Sequence, residues 1–331
     1  AVNVRVKNLT MEKAQIGVSL NKTIGCEFDT IRVEYNRATG LSLAEGESTR
    51  LLRSVLWNND DGTVGNAVAI AKGNLAIENC VLWGSPTAIA LNSGSLTVTN
   101  SVLDASGSDG RIYQFSAGML NSFHGDYNSY IRRNGALICE QANAAPGAGN
   151  DLYNNLPSWN AASSSDLHSM TLDPAFANET TGDFHPKSTG GRYAGGSWVN
   201  DAVRSPLVDA GAAGWPLGNE PAPNGGIVNV GAYGATAQAS MTQTNPPWLH
   251  AVSYNDEGVM AGDVLLYWLH GGMPTNALVT LEYATDYMIT WKPIASNVLA
   301  SAREYLWDVS SMPLSLGLNW RVVWQGGTNV W

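Results

Sequence analysis

The sequence is poor in the features that mark several common functional classes. It has three cysteines, Cys26, Cys80 and Cys139, an odd number without the spacing of a metal site. Only 14% of its residues are charged and the net charge is −10 without a basic cluster, which argues against nucleic acid as a partner. No apolar run approaches the roughly 18 residues that predict a membrane span. The 35 glycines and the length of 331 residues instead favour a large all-β protein.

The N-terminal third of the chain repeats one short phrase. Residues 77–84 read IENCVLWG and residues 98–105 read VTNSVLDA, so Asn79 and Asn100 hold the same place. Aligning the chain on this place gives a column of residues: Asn8, Asp29, Arg53, Asn79, Asn100 and Asp126. Apolar runs that end near a glycine give a second column: Val18, Leu41, Val68, Ile89 and Tyr113. Two columns with a common period indicate a structural repeat.

A repeat of this length with alternating residues and no helical spacing predicts stacked strands, because each unit can bury its apolar face only against its neighbours. The framework of leucine-rich repeats is absent. We therefore predict an all-β fold, a right-handed parallel β-helix solenoid followed by a small β-sandwich. Residues beside a turn lie above one another in such a stack, which predicts a structural ladder of side chains: Asn8, Asp29, Asn79 and Asn100.

Beyond residue 118 the repeats loosen into longer phrases. Three of them are DYNSYIRRNG, SSDLHSMTLDPAFANETTGDFHPKSTG and SPLVDAGAAGWPLGNEPAPNGGIVNVGAYG. From Asp126 to Gly234 their order resembles the C-terminal part of bacterial extracellular right-handed β-helix repeat proteins of the pectate-lyase-like superfamily. The resemblance implies the fold and an extracellular or cell-surface location. It does not imply an activity, because one fold carries many functions.

The last part of the chain has a different pattern. We assign residues 1–240 to the solenoid with its irregular C-terminal rungs, 241–248 to a proline-stiffened linker and 249–331 to a β-sandwich that ends early. The phrase VTLEYATDYMITWKPIASNV resembles the fibronectin type III or immunoglobulin-like modules of bacterial surface proteins. Tryptophans at alternating positions in this part are interpreted as core residues rather than sugar-stacking platforms.

Candidate residues for chemistry are few. Uronate lyases of this fold need an arginine or lysine as base and a cation to neutralise the substrate carboxylate. Arg32 and Arg53 are the candidate catalytic residues, since they come from neighbouring repeats. The NNDDG loop, with Asn58, Asp60 and Asp61, is the candidate calcium site, and its alternative interpretation is a simple turn.

Signatures of known enzymes on this fold are missing. Asp173-Pro174-Ala175-Phe176 replaces the Asp-Pro-His-Asp of the mannuronan epimerases, and the sets of the polygalacturonases and pectate lyases are absent. The chain also starts directly in repeat pattern, so we expect another chain or further repeats to cover its first strand edges. The leading hypothesis is a secreted or cell-surface structural or adhesive protein within a larger chain or assembly. The alternatives are a polysaccharide lyase or hydrolase acting on an extracellular polysaccharide, and carbohydrate binding without catalysis.

Overall fold

A computed structural model describes residues 1–60, 65–106, 109–145, 147–255 and 258–327. The chain is nearly all-β and forms a parallel β-solenoid of about six turns, followed by small antiparallel sheets. The predicted fold class is therefore confirmed. Within the described residues, no helix is both long and apolar enough to cross a membrane.

Each turn of the solenoid, a rung, contributes a strand to three faces. Face A contains β1 (Arg5–Lys7), β4 (Glu27–Asp29), the second half of β6 (Thr39–Leu52), β9 (Gly73–Glu78), β12 (Gly94–Thr99) and β15 (Phe123–Asp126). Face B contains β2 (Thr10–Glu12), β5 (Arg32–Glu34), β7 (Val55–Trp57), β10 (Val81–Ser85), β13 (Val102–Ala105) and β16 (Ser129–Arg132). Face C contains β3 (Ile16–Ile24), the first half of β6, β8 (Asn66–Ile70), β11 (Thr87–Leu91), β14 (Arg111–Phe115), β17 (Leu137–Gln141) and the antiparallel edge strand β18 (Asp151–Tyr153).

The chain turns sharply from face A to face B at one residue in each rung. These residues all have a positive φ between 45° and 57°: Asn8, Thr30, Arg53, Asn79, Asn100 and Tyr127. Asparagine adopts this left-handed conformation more readily than most residues, which explains its recurrence. The predicted ladder is wrong for Asp29, which pairs with Lys7 and Leu52 one place earlier. The sequence alignment placed polar side chains in one column. In the structure, the residues that share this place are those with the left-handed backbone conformation.

Face B is buried on both sides, and this explains the repeated phrase. In the stretch Val81-Leu82-Trp83, Leu82 points into the solenoid core, whereas Val81 and Trp83 belong to a second core outside it. That second core is completed by a covering segment, residues 165–243, through side chains such as Phe184 and Val230. A strand buried on both faces must be apolar at consecutive positions rather than at alternate ones. Val81-Leu82-Trp83 and Val102-Leu103 meet this requirement, whereas the buried Asp104 that follows is paired with Arg133 at 2.8 Å.

Polar side chains inside the solenoid stack in short ladders. The Ser54 hydroxyl accepts from Ile31 N at 3.1 Å, and the Ser101 hydroxyl accepts from Cys80 N at 3.1 Å. At another corner, Asn36 Nδ2 donates to Asn59 Oδ1 at 2.8 Å. These bonds satisfy the backbone and amide groups of fully buried residues, which would otherwise cost about 1–3 kcal/mol each.

Helix α1 (Leu156–Ser163) closes the last rung. Asn155 caps it, accepting from Ser158 N at 2.9 Å, and Pro157 occupies its first turn. Its Trp159 is fully buried and stacks on Tyr113 with ring centroids 5.6 Å apart. The Trp159 indole donates to Asp166 at 2.8 Å. The helix thus covers core residues of the last rung that would otherwise face water.

The covering segment contacts the left-handed turns between faces A and B through two of their asparagine side chains. Asn79 Nδ2 donates to Asn229 O at 2.8 Å, and Asn100 Oδ1 accepts from Ala212 N at 2.8 Å. The two asparagines do not bond to each other, contrary to the predicted ladder. Glycines permit this approach, because a Cβ at Gly234 would lie 2.1 Å from Asn229 O and 2.4 Å from Asn79 Nδ2. The phrases DAG (209–211) and GAYG (231–234) therefore form part of the contact between the covering segment and these turns.

The covering segment also carries two hairpins and leads into the C-terminal module. The hairpins consist of β19 (Phe176–Asn178) with β20 (Asp183–Pro186), and β21 (Arg192–Ala194) with β22 (Ser197–Val199). The module has one sheet of β23 (Trp248–Ala251), β24 (Asp263–Gly271) and β27 (Glu304–Asp308), and another of β25 (Leu278–Ala284), β26 (Lys292–Leu299) and β28 (Asn319–Trp324). Within the predicted linker, Met241 N donates to Gly191 O and Thr242 N to Pro223 O, each at 2.8 Å.

His168 joins the last rung to the C-terminal module. Its Nδ1 lies 2.7 Å from Asp126 Oδ2 on face A, and its Nε2 lies 2.7 Å from Glu304 Oε2 in β27. Its ring stacks on Tyr127 and meets Tyr267 edge-on. Burial alone would lower the pKa of His168, but the two carboxylates outweigh it and raise the pKa above 6.5. The protonated ring can donate to both carboxylates, whereas the neutral ring can donate to one.

Replacing Gly234 by alanine should destabilise the docked covering segment by about 1–3 kcal/mol or more, because the added methyl group overlaps Asn229 O. Urea unfolding followed by tryptophan fluorescence measures the change. Gly149→Ala is the matched control, since no atom lies within 4 Å of its added Cβ. Equal stability of the two variants would contradict the docking described above.

The contact at His168 should be stronger in acid than in alkali. A pKa raised in the folded state contributes stability that is complete below the unfolded pKa of about 6.5 and is lost as the pH rises through the higher folded value. Thermal unfolding from pH 5.5 to 8.5 tests this in the wild type and in His168→Gln. The stability advantage of the wild type should shrink with rising pH; an advantage independent of pH would exclude protonation as its cause.

Candidate functional site

A groove runs between the solenoid and the covering segment. One wall is the corner of faces A and B in the first three rungs, with Lys7, Asp29, Arg32 and Arg53. The other wall belongs to the covering segment: Gly218, Asn219, Ala232, Tyr233, Ala235, Thr236, Ala237 and Gln238. This part has a volume of about 560 Å³. We call it, with the extension described next, the corner groove.

The groove continues along the same corner past Arg53. The extension has a volume of about 410 Å³ and shares Arg53, Gly218 and Ala235 with the first part. Trp215 stands on its covering-segment wall, opposite Arg50. The combined groove therefore crosses several rungs and is open along its length, a shape that suits an extended chain better than a compact small molecule.

Two partly exposed aromatic side chains line the covering-segment wall. Trp215 and Tyr233 each retain partial solvent exposure. Tyr233 is held in place by His185, whose ring stacks on it at 3.5 Å between centroids. His185 is itself fixed by Asp183, 2.6 Å from its Nδ1, and by Gln238, 3.3 Å from its Nε2. His185 therefore holds the Tyr233 side chain of the groove wall in position.

Asp29 is the electrostatic centre of the first part of the groove. Its Oδ2 lies 2.5 Å from the Lys7 ammonium, and its Oδ1 lies 2.6 Å from Arg53 Nη2. Burial acts to raise the pKa of Asp29, but hydrogen bonds from Lys7 and Arg53 outweigh it and hold the pKa below its usual value. Two cations share one carboxylate, so this group carries a net positive charge.

A second series of ion pairs joins neighbouring rungs on face A. Arg50 Nη2 bonds both carboxylate oxygens of Glu78, at 3.0 and 3.1 Å, and Arg50 Nη1 bonds Glu27 at 3.3 Å. Glu27 lies 2.5 Å from Arg5 in turn. Opposite charges thus alternate from rung to rung, as cross-strand pairing favours. These ion pairs lie on face A, outside the column of the predicted ladder.

The two candidate catalytic arginines do line one groove, yet both are engaged in structural contacts. Arg32 bonds Glu34 and donates to Gly182 O at 3.1 Å, with its guanidinium 5.1 Å from the Trp57 ring. Arg53 is paired with Asp29. A guanidinium stays protonated at neutral pH and cannot accept a proton. These contacts join Arg53 to the neighbouring rung and Arg32 to the covering segment.

The candidate calcium loop is described only in part. Asn58 occupies a left-handed turn with φ of 50°, and its backbone N–H donates to Trp83 O at 2.9 Å. Asp60 also makes an interaction. Asp61 lies outside the described residues. No group of three or more His, Cys, Asp or Glu side chains able to hold a metal occurs in the described part of the chain. Calcium binding by this loop stays a prediction.

A further cavity lies between α1 and the C-terminal module. Its volume is about 350 Å³, and its walls include Leu156, Leu167, Leu265 and Leu306. The cavity is mainly apolar and lacks the concentration of charges found along the corner groove. The corner groove is therefore the candidate functional site.

A protein-family model described as disaggregatase related matches residues 148–211. No curated protein and no solved structure matches the chain. The matched residues run from the edge strand β18 through the capping helix α1 to Gly211 in the covering segment. The similarity therefore concerns the part of the chain that closes the solenoid and begins to cover face B.

Proposed function

We propose that the protein is an extracellular or cell-surface structural protein that adheres to a polysaccharide through the corner groove without cleaving it. The groove itself carries the proposal, since it is long, open and lined by paired charges and two partly exposed aromatic rings. Sugar rings present apolar C–H faces that stack on aromatic side chains, and their hydroxyl groups accept and donate hydrogen bonds. The resemblance to extracellular pectate-lyase-like proteins, and that of the module to surface-protein modules, supports the location.

The pairing of the charged groups supports binding rather than cleavage. Lys7, Arg50 and Arg53 are each bonded to a carboxylate. A base must be free to take a proton within hydrogen-bond reach of its substrate. In the described groove, these cations can orient a ligand carboxylate or hydroxyl group but are poorly placed to withdraw a proton. A lyase built on Arg32 and Arg53 is the alternative that the experiment must separate.

The test is binding of the purified protein to a panel of acidic and neutral polysaccharides by isothermal titration calorimetry. Trp215→Ala should weaken binding about tenfold or more, a loss of about 1.4 kcal/mol. Arg53→Asn removes the charge and keeps a residue suited to the left-handed turn, as at Asn8, Asn79 and Asn100, and should also weaken binding. Trp198→Ala is the matched control, because Trp198 is 39% exposed and lies outside the groove.

Two outcomes would overturn this proposal. Equal affinity of Trp215→Ala and Trp198→Ala would remove the groove from the interaction. Formation of unsaturated uronate products, followed by ultraviolet absorbance and abolished in Arg53→Asn, would establish the lyase instead.

Assembly through the first rung is a second candidate function. Its strands β1 and β2 pair on one side only, with β4 and β5, and β3 pairs with β6 and contacts the preceding chain only at its end, where Ile24 bridges Val2. The rung exposes large apolar side chains: Val2, Val4, Leu9, Ile16 and Ile24. Unpaired strand edges with apolar side chains favour association with another chain. The last rung differs, since α1 covers its core.

Sedimentation velocity over a concentration series tests the assembly. The wild type should form larger species as concentration rises, and Leu9→Glu should abolish them. Leu152→Glu serves as the control, because Leu152 is 59% exposed on β18, far along the stack from the first rung. A wild type that stays monomeric throughout would rule out self-association of this chain.

A further inference from the structure

Two loops at one end of the C-terminal module present apolar side chains to solvent. Residues 285–291 connect β25 to β26, and residues 309–318 connect β27 to β28. These loops expose five large apolar side chains, which we call the apolar tips: Tyr287, Met288, Ile289, Leu314 and Leu316. The tips line neither the corner groove nor the cavity beside α1, so neither site accounts for them.

The backbone holds the two loops side by side. The Ser315 hydroxyl donates to Thr285 O at 2.8 Å, and Asp286 forms a β-bridge with Gly317. Asp286 Oδ1 also accepts from Ile289 N at 3.1 Å within the first loop. The apolar tips therefore belong to two loops whose relative position is fixed.

The turn that carries Tyr287 and Met288 is an unfavourable place for these residues. Both have a left-handed backbone conformation, with φ of 57° and 68°. Glycine and asparagine adopt this conformation at less cost, which is why hairpin turns favour them. Both side chains are exposed, so packing inside the molecule does little to offset the strain. Local strain combined with exposed apolar side chains indicates an interaction surface.

Carboxylates lie beside the apolar tips at the same end of the module. Asp308 directly precedes the second loop and is paired in register with Asp263, and both side chains are exposed. Hydrogen bonds, chiefly from Thr290, hold the pKa of Asp286 below its usual value, so this carboxylate is ionised at neutral pH. Lys292 offsets part of the negative charge. A complementary partner therefore offers an apolar surface with positive charge.

The first rung of the solenoid has both of these properties. Its apolar side chains, Leu9 among them, are exposed in the rung where β1 and β2 pair on one side only. In a chain whose net charge is −10, residues 1–25 carry one acidic residue, Glu12, against four basic ones: Arg5, Lys7, Lys13 and Lys22. Arg5 and Lys7 pair with carboxylates of the second rung, yet 61% and 44% of their side chains stay exposed. The first rung is thus a basic and apolar edge.

The two surfaces lie toward opposite ends of the solenoid. The end of the module that carries the apolar tips lies beside α1, since Asp263 and Leu306 share a cavity with Leu156 of that helix. Helix α1 covers the core of the last rung, whereas β1 and β2 belong to the first. Contact between the two surfaces therefore joins separate copies of the chain head to tail.

We propose that the apolar tips of one copy bind the first rung of a second copy. The tips then cover the exposed apolar side chains of that rung, and Asp263, Asp286 and Asp308 approach its basic residues. Each added copy brings a further first rung and further tips, so the contact repeats along a chain of copies. This inference rests on the assembly given above as the second candidate function, and it adds the surface that pairs with the first rung.

Sedimentation velocity over a concentration series tests the tips directly. Leu316→Glu adds a charge to a side chain that is 97% exposed, and we expect association at least tenfold weaker than in the wild type. Leu314→Glu, on the same loop, should have the same effect, so the result does not depend on the folding of one variant. Val203→Glu is the matched control, because Val203 is 51% exposed in the covering segment, outside both surfaces.

A mixture of two variants tests the head-to-tail contact. Leu9→Glu keeps intact tips and Leu316→Glu keeps an intact first rung, so each variant should be monomeric alone. Mixed in equal amounts, they should form a one-to-one dimer and no larger species, because each copy then has one usable surface. Contact between two first rungs predicts the opposite, namely dimers of Leu316→Glu alone.

Three results would overturn this inference. Association of Leu316→Glu and Leu314→Glu as strong as that of the wild type would exclude the tips and leave assembly through the first rung intact. A mixture that stays monomeric, from variants that unfold at the wild-type temperature, would exclude the head-to-tail contact. A wild type that stays monomeric would remove the assembly itself, and binding to phosphatidylcholine vesicles that Leu316→Glu abolishes would then assign the tips to a lipid surface.

Discussion

The strands β7, β10 and β13 carry apolar side chains on both faces, and neither face can be left in water. The inner face is buried by the stack of rungs, while the outer face, with Trp57 and Trp83, requires the covering segment. Fully burying one such side chain contributes about 1.5–3 kcal/mol. The covering segment is therefore as much a part of the folded solenoid as the rungs are. The corner groove lies where the covering segment meets the corner of faces A and B.

The period of the repeats and the alternation of residues were enough to predict the solenoid and the strands of the C-terminal module. The phrase VTLEYATDYMITWKPIASNV covers most of β25 and β26. The ladder was predicted less well, because the alignment used polar side chains and missed that Thr30 and Tyr127 occupy the left-handed turn in their rungs. A single sequence shows which residue types recur. It does not show which of two adjacent residues, such as Asp29 and Thr30, adopts the left-handed conformation.

The candidate site was only half accessible to sequence reasoning. Arg32 and Arg53 were selected because their repeats are adjacent, and the structure does bring both to one groove. The opposite wall comes from residues about 160 to 200 positions later in the chain, and no local pattern links Tyr233 or Trp215 to the rungs. The role of Asp29 as a shared partner for two cations was also hidden, since pairing between rungs follows from register rather than from sequence distance.

The stacking of rungs has one more consequence for the groove. Neighbouring strands of a sheet lie about 4.8 Å apart, and hydrogen bonds fix this spacing regardless of the side chains. Lys7 and Asp29 hold the same register on neighbouring rungs, and Arg53 lies one residue beyond that register on the next rung. For the polysaccharide proposed as ligand, this backbone spacing sets the distance between the charged groups that the successive rungs present. Substitutions at Lys7, Asp29 or Arg53 can change the chemical groups that line the groove without altering the spacing between the rungs.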